Sequence, residues 1–395
     1  MSATLSSHPT LTPNLNTTLR PNATPKPSLS LARSLTHLSP ATLSTMDPFK
    51  LFLEQLGTNH AETRVDAMRR LFVVANAIGR DQCLQKLIPF LDAHVTERAD
   101  LAMELSNAAA VPTGSEEDDE ILLILAEQLG QLVLCGLIPG YRALTIVSIL
   151  EKLAGVEETV VRDKAVESLN SIIPELYVEH LSVKGKEEEE ARIHCVRTAP
   201  GLLLAMVKRM ANSDWFTAKV SACAVLPIVY QFFNNMKSNS TVPLPESLGF
   251  GDSGGTVEDT KQELRHLYKM LTEDETPMVR RGAGKNLAKY VEAVATLPYG
   301  KKGSIGEAIA REMTISSGSK DEILVKKIVT SELKNKVATS VVPLYQALCA
   351  DEQDNIRLLA VGSSGSIGCS LGLDASLTRT MVLPYVKNGA ADLSW

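Results

Sequence analysis

Residues 273–283 read EDETPMVRRGA, with Glu273, Asp274 and Glu275 ahead of Pro277, Arg280 and Arg281. Carboxylates beside guanidinium groups are the raw material of acid–base chemistry, and two adjacent arginines could clamp a phosphate. Two other stretches invite a chemical reading. His194–Cys195 offers a thiol next to an imidazole, and GSSGSIG at 362–368 mimics a phosphate cradle. Neither holds up as a site. A thiol nucleophile needs a base oriented by a third group, and this pair is merely adjacent, beside the charged run KEEEEAR. The glycine-serine stretch follows no strand and precedes no Lys-Ser/Thr, so it reads as a damaged helix pattern. The histidines (His8, His37, His60, His94, His180, His194, His266) fall in unrelated contexts. The six cysteines (Cys83, Cys135, Cys195, Cys223, Cys349, Cys369) form no CxxC pair and read as reduced thiols. No metal, no cofactor and no catalytic residue is expected.

What decides the meaning of EDETPMVRRGA is that its layout recurs. HAETRVDAMRRL from His60, EDDEILLILAEQL from Glu117 and VEETVVRDKAVESL from Val156 share it. So do NSDWFTAKVSACAVL from Asn212 and DEQDNIRLLAVGSS from Asp351. Each is a polar turn, then an apolar residue, often a cation, and a small residue leading into a helix. Val161, Ala165, Leu169 and Ile172 advance by 4, 4 and 3, as do Val279, Ala283, Leu287 and Tyr290. That spacing draws one apolar stripe on a helix. Acids in the first turn suit the positive end of the helix dipole.

A preceding helix recurs as well. KLIPFL, VVPLYQAL and MVLPYV place Pro89, Pro343 and Pro384 inside apolar stripes. An interior proline costs about 3 kcal/mol, so its return at one place implies a bent first helix common to the units. The aligned alanines Ala67, Ala126, Ala165, Ala222, Ala283 and Ala360 are separated by 59, 39, 57, 61 and 77 residues. The shortest interval is a bare helical-hairpin unit, and the others carry insertions near 94–116, 174–195, 236–258 and 298–335. The last three read as loops between units, with KGKEEEE a solvated segment and a short helix near Asp321–Val329. The sixth second helix, AVGSSGSIGCSLG, should be weak because each interior glycine costs about 1 kcal/mol. The expected fold is therefore all-α, an α-solenoid of antiparallel helix pairs over residues 46–395.

Composition agrees. Of 395 residues, 44% are apolar and only 5% aromatic, which suits stacked helices rich in Leu, Ala and Val. A net charge of −6 without a long basic tract argues against a nucleic-acid surface. No apolar run approaches the roughly 18 residues needed to cross a bilayer. Residues 1–45 contain no acid and are crowded with Ser, Thr and Pro, so they are expected to stay disordered. An organellar transit peptide, or a true start at Met46, are the other readings of that segment.

At the level of motifs, VEETVVRDKAVESL, SDWFT…SAC, DETPMVRR, DEQDNIRLLAV and EILLILAEQLG resemble the scaffold (A) subunit of protein phosphatase 2A, a HEAT-repeat family. The resemblance runs from about Met46 to Trp395 and corresponds to six repeats and half a seventh. It implies a right-handed superhelix and a non-catalytic, cytoplasmic or also nuclear scaffold. In that family the turns inside each repeat face a B-type regulatory subunit, and later repeats hold the catalytic subunit, so this chain alone is not expected to recruit it. The partner-facing residues carried over are Glu157 and Glu158; Asp214, Trp215 and Phe216; and Glu275, Thr276, Pro277, Met278, Arg280 and Arg281. Asp351 to Asp354 is a weaker candidate. Glu157 and Glu158 also read as plainly solvated, and Trp215 as core. Arg280 or Arg281 could instead pair with acids of the next turn, in a ladder with Arg162, Lys219 and Arg357. A HEAT-repeat transport receptor or other adaptor is the alternative.

Overall fold

The computed structural model describes residues 47–106, 116–179, 181–237, 240–242, 255–296, 331–372 and 374–392, without the side chains of 98–106 and 116–117. The expectations for residues 1–45, for most of 298–335 with its helix near Asp321–Val329, and for the turn of the second unit lie outside them. The chain divides into Met1–Asp47 and Pro48–Trp395, and the described helices belong to the second unit.

Its elements are helices: α1 Pro48–Leu56, α2 Ala61–Arg69, α3 Leu71–Gln82, α4 Ile88–Ser106, α5 Glu116–Leu134, α6 Leu144–Leu153, α7 Thr159–Ile172 and α8 Lys186–Ala211. They continue with α9 Phe216–Asn234, α10 Val257–Thr272, α11 Pro277–Val294, α12 Val342–Cys349, α13 Asp354–Gly362, α14 Ser364–Ser370, α15 Ala375–Met381 and α16 Leu383–Ala390. Residues 331–340 are helical and lead into α12. The helices form two layers. Second helices pack in the order α2, α5, α7, α9, α11, α13, and first helices in the order α4, α6, α8, α10, α12, α16. Each unit touches chiefly its neighbours, which is how a repeat array accumulates its core.

The stripes read from spacing form that core. Val161, Ala165, Leu169 and Ile172 are fully buried, and so are Val279, Ala283, Leu287 and Tyr290. All six aligned alanines are buried, as a position of close helix approach requires. One apolar cluster runs from Phe52 to Val382. Where polar groups enter it they are satisfied across joints: Ser168 donates to the Ala126 carbonyl at 2.8 Å, Ser221 to Ala154 at 2.7 Å, and Asn234 to Ala293 at 2.7 Å. A buried hydroxyl or amide left unpaired would cost about 1–3 kcal/mol.

The prolines act as expected. Pro343 and Pro384 stand in the first turns of α12 and α16, just after Val341 and Val382 depart from ideal helix, and so break each first helix in two. Pro89 opens α4 directly after a π-turn at Cys83–Leu87. At Pro343 and Pro384 the missing N–H is tolerated because first-turn donors have no helical acceptor, and at Pro89, inside continuous helix, the π-turn accommodates it. The sixth second helix is interrupted at Ser363, between α13 and α14.

Two expectations are corrected. KGKEEEE is not a loop: Gly185, at φ 103°, is the N-cap of a 26-residue helix whose first turn carries Glu187, Glu188 and Glu189. The acids sit at the positive end of the dipole and find partners. Arg142 Nε donates to Glu188 at 3.1 Å and Arg142 Nη2 to Glu187 at 3.3 Å. Arg192 binds Glu189 at 2.6 Å and the carbonyls of Val178 and Glu179. The second correction is α9, which is long and apolar enough to cross a membrane by composition. Here it is mostly buried, packed on α7, α8, α10 and α11, so its apolarity is that of a core helix.

Candidate functional site

Four of the described turns between paired helices share one construction, built around an arginine six residues after the turn begins. Arg280 Nη1 donates to the Asp274 and Glu275 carbonyls, both at 3.1 Å. Arg357 does the same to Asp351 and Glu352 at 3.0 and 3.1 Å, and Arg162 to Val156 and Glu157 at 2.9 Å each. Arg64 reaches the Thr58 carbonyl at 3.1 Å. In each case a helix-borne guanidinium fixes the entering chain. The first residue of the turn folds back in turn: Asp274 Oδ1 accepts from Thr276 N–H, Asp351 Oδ1 from Gln353 N–H, both at 2.9 Å, and Ser213 Oγ from Trp215 N–H at 3.2 Å. Such Asx and Ser turns are the backbone substitutes these residues supply.

At three joints the cation in this register reaches the next turn. Lys219 Nζ lies 2.9 Å from Asp274 Oδ2, Arg280 Nε 2.7 Å from Asp351 Oδ2, and Arg357 Nε 2.7 Å from Asp392 Oδ2. Burial pushes the Asp274 carboxyl up, but the bonds from Lys219 and Thr276 outweigh it and hold it below the ordinary carboxylate value. Successive turns are thereby locked in register. Of the two arginines, Arg280 is the ladder member and is half-buried, whereas Arg281 is exposed. Arg162 departs from the ladder: its own-turn bonds are present, but its Nε has no partner.

On this frame stand exposed apolar side chains. Trp215 is 58% and Met278 52% exposed, with Phe216 and Pro277 beside them. The core reading of Trp215 is thus replaced by an exposed one. Glu157, Glu158, Asp214 and Glu275 are also exposed, and Thr276 is half-buried. Sequence reasoning missed Val160, which is 54% exposed and occupies in VEETVVR the place of Met278 in DETPMVR. It also missed Leu358, at 51% and in the place of Arg281. The alignment itself carried both signals.

The chemical candidates look different. The Cys195 thiol is fully buried, donates to the Leu176 carbonyl at 3.7 Å, and is pushed up to about 12 by burial. A thiol held protonated is no nucleophile. Among the described residues no three His, Cys, Asp or Glu side chains gather to hold a metal ion.

Comparison with known proteins bears on the turns. The chain is 31% identical over 248 residues to the 65 kDa regulatory A subunit (alpha isoform) of serine/threonine-protein phosphatase 2A from Arabidopsis thaliana, covering 62% of this chain and 32% of that protein. It is 29% identical over 250 residues to the PP2A 65 kDa regulatory subunit of Drosophila melanogaster, covering 63% and 32%. With the PP2A regulatory A subunit of Schizosaccharomyces pombe it is 27% identical over 348 residues, covering 88% and 42%. The chain is similar to the regulatory A subunit of protein phosphatase 2A. It spans about a third of the length of the first two relatives. No family model matches it. Against solved structures, the karyopherin Kap121p aligns at 12% identity over 84% of this chain and 35% of that chain, with a TM-score of 0.28, too slight a likeness to carry an argument.

Proposed function

We propose that the chain is a non-catalytic scaffold that uses its intra-unit turns to bind a B-type regulatory subunit, helping to assemble a phosphatase 2A-type serine/threonine phosphatase. One observation carries the reading: Val160, Trp215 with Phe216, and Met278 are exposed on the turns of three successive units, two of them pinned at the backbone by helix-borne arginines and the third folded by the Ser213 turn and tied through Lys219 to Asp274 of the next. Large apolar side chains on rigid backbone make good anchors, because little freedom is lost when a partner covers them. The acids around them, Glu157, Glu158, Asp214 and Glu275, supply a polar rim that favours a basic partner face. The relatives, named as regulatory A subunits, support the partner class.

The test is a binding titration of the chain with a purified B-type regulatory subunit. Trp215→Ala should cost about 2 kcal/mol, roughly thirtyfold in affinity. Val73→Ala, equally exposed but on α3 away from the turns, should cost nothing measurable. Equal affinities for wild type and Trp215→Ala would discard the reading. Phosphatase assay of the chain alone should return no turnover.

A further inference from the structure

The joint between the third and fourth units breaks the ladder. At the three following joints the cation of one turn holds a carboxylate that opens the next: Asp274, Asp351 and Asp392. The equivalent place opposite Arg162 is held by Ser213, whose hydroxyl is engaged with its own turn. Asp214, one residue later, is exposed. Arg162 is 94% buried, as its 6% exposure shows, and its Nε is bonded to nothing. A buried guanidinium edge without an acceptor is costly. Beside this joint a cleft of about 420 Å3 opens between the ends of α6 and α8 and the Ser213 turn, with Glu151, Lys152, Arg209 and Ser213 in its wall and Arg162 behind it. Its charged wall residues are already paired, Lys152 with Asp92 at 2.7 Å and Arg209 with Glu151, also of the wall, at 2.7 Å, which leaves the Arg162 Nε as the joint's unanswered donor. Its Ser213 wall belongs to the turn that presents Trp215.

We infer that this joint is a socket for an acidic side chain, Asp or Glu, of the docked protein, with Arg162 as the cation that receives it. The partner carboxylate does between units three and four what Asp274, Asp351 and Asp392 do from within the chain. The socket rests on the docking function proposed above and adds to it a charged anchor beside the apolar one. The Nε is closed from solvent in the free chain, so docking has to open the joint.

Ser213→Asp supplies the carboxylate in cis and tests the idea directly, with Ser213→Asn as the neutral control. The aspartate should raise the thermal midpoint by about 2 °C or more. It should also weaken about tenfold the binding of a purified B-type regulatory subunit, and flatten the salt dependence of that binding. The asparagine should do none of these. An unchanged midpoint in Ser213→Asp would show that a carboxylate there does not reach Arg162, and would overturn the socket. So would wild-type affinity in Ser213→Asp together with lost binding in Trp215→Ala, a result that leaves turn docking standing. Wild-type affinity in both variants would remove turn docking as well.

Discussion

Arg280 and Asp351 form a bond across two units: Nε to Oδ2 is 2.7 Å, with the arginine side chain 13% and the aspartate side chain 7% exposed. The same guanidinium holds Glu352 at 3.1 Å and two carbonyls of its own turn. One residue thus sets the shape of its turn and the spacing to the next. Arg280→Ala strands a buried carboxylate and should destabilise the chain by about 3 kcal/mol. Arg281→Ala, at an exposed neighbour, should stay within about 0.5 kcal/mol. Urea unfolding of the two variants distinguishes them.

Acid should loosen the ladder. The folded Asp274 carboxyl titrates below its ordinary value of 3.8. Its contribution is therefore complete above the unfolded value and is lost as pH falls through the lower folded one. Thermal midpoints of wild type and Asp274→Asn, measured between pH 6 and about 2.5, should converge at the acid end. Parallel curves would show that Asp274 is not a stabilising partner.

Lys261 gives the opposite sign. It is 3% exposed on α10, and burial lowers its amine to about 8, partly offset by Glu258 and reinforced by Lys336 and Arg265. Between that value and the usual 10.5 the unfolded chain binds more protons, so stability should rise with pH through this window. Lys261→Met should be at least as stable as wild type at pH 7 and should lack the rise; circular dichroism melts from pH 7 to about 10.5 provide the check.

Gly140 should admit no side chain. A Cβ there would lie 1.9 Å from the Glu175 carbonyl oxygen, which is backbone and cannot step aside. Gly140→Ala forces apart the connection before α6 and the 3-10 turn Ile173–Leu176 after α7. A loss of about 2 kcal/mol or more is expected in urea unfolding, against about zero for Gly155→Ala, where the nearest atom is 3.5 Å away.

The helix pairs were legible because a 3.6-residue stripe leaves its mark in every unit, and the turn ladder was legible because Lys219, Arg280 and Arg357 hold the same register. The α8 extension was harder to read. Its glutamates look like a solvated run until Arg142, some 45 residues away in sequence, is brought against Glu187 and Glu188. Long-range pairing leaves no periodic trace, although Gly185 followed by acids and then Arg192 was a local helix-start signal. Val160 was overlooked for a different reason: a valine among apolar residues reads as core, and only its register with Met278 places it outside.

The central claim is that the turns, with Trp215 and Met278, are the docking face. Hydrogen–deuterium exchange of the chain with and without a purified B-type regulatory subunit tests it most directly. Slowed exchange confined to the turns around 156–160, 213–217 and 274–279 is the expected result. Protection of the opposite connections, around 136–143 and 173–178, with those turns unchanged, would contradict it.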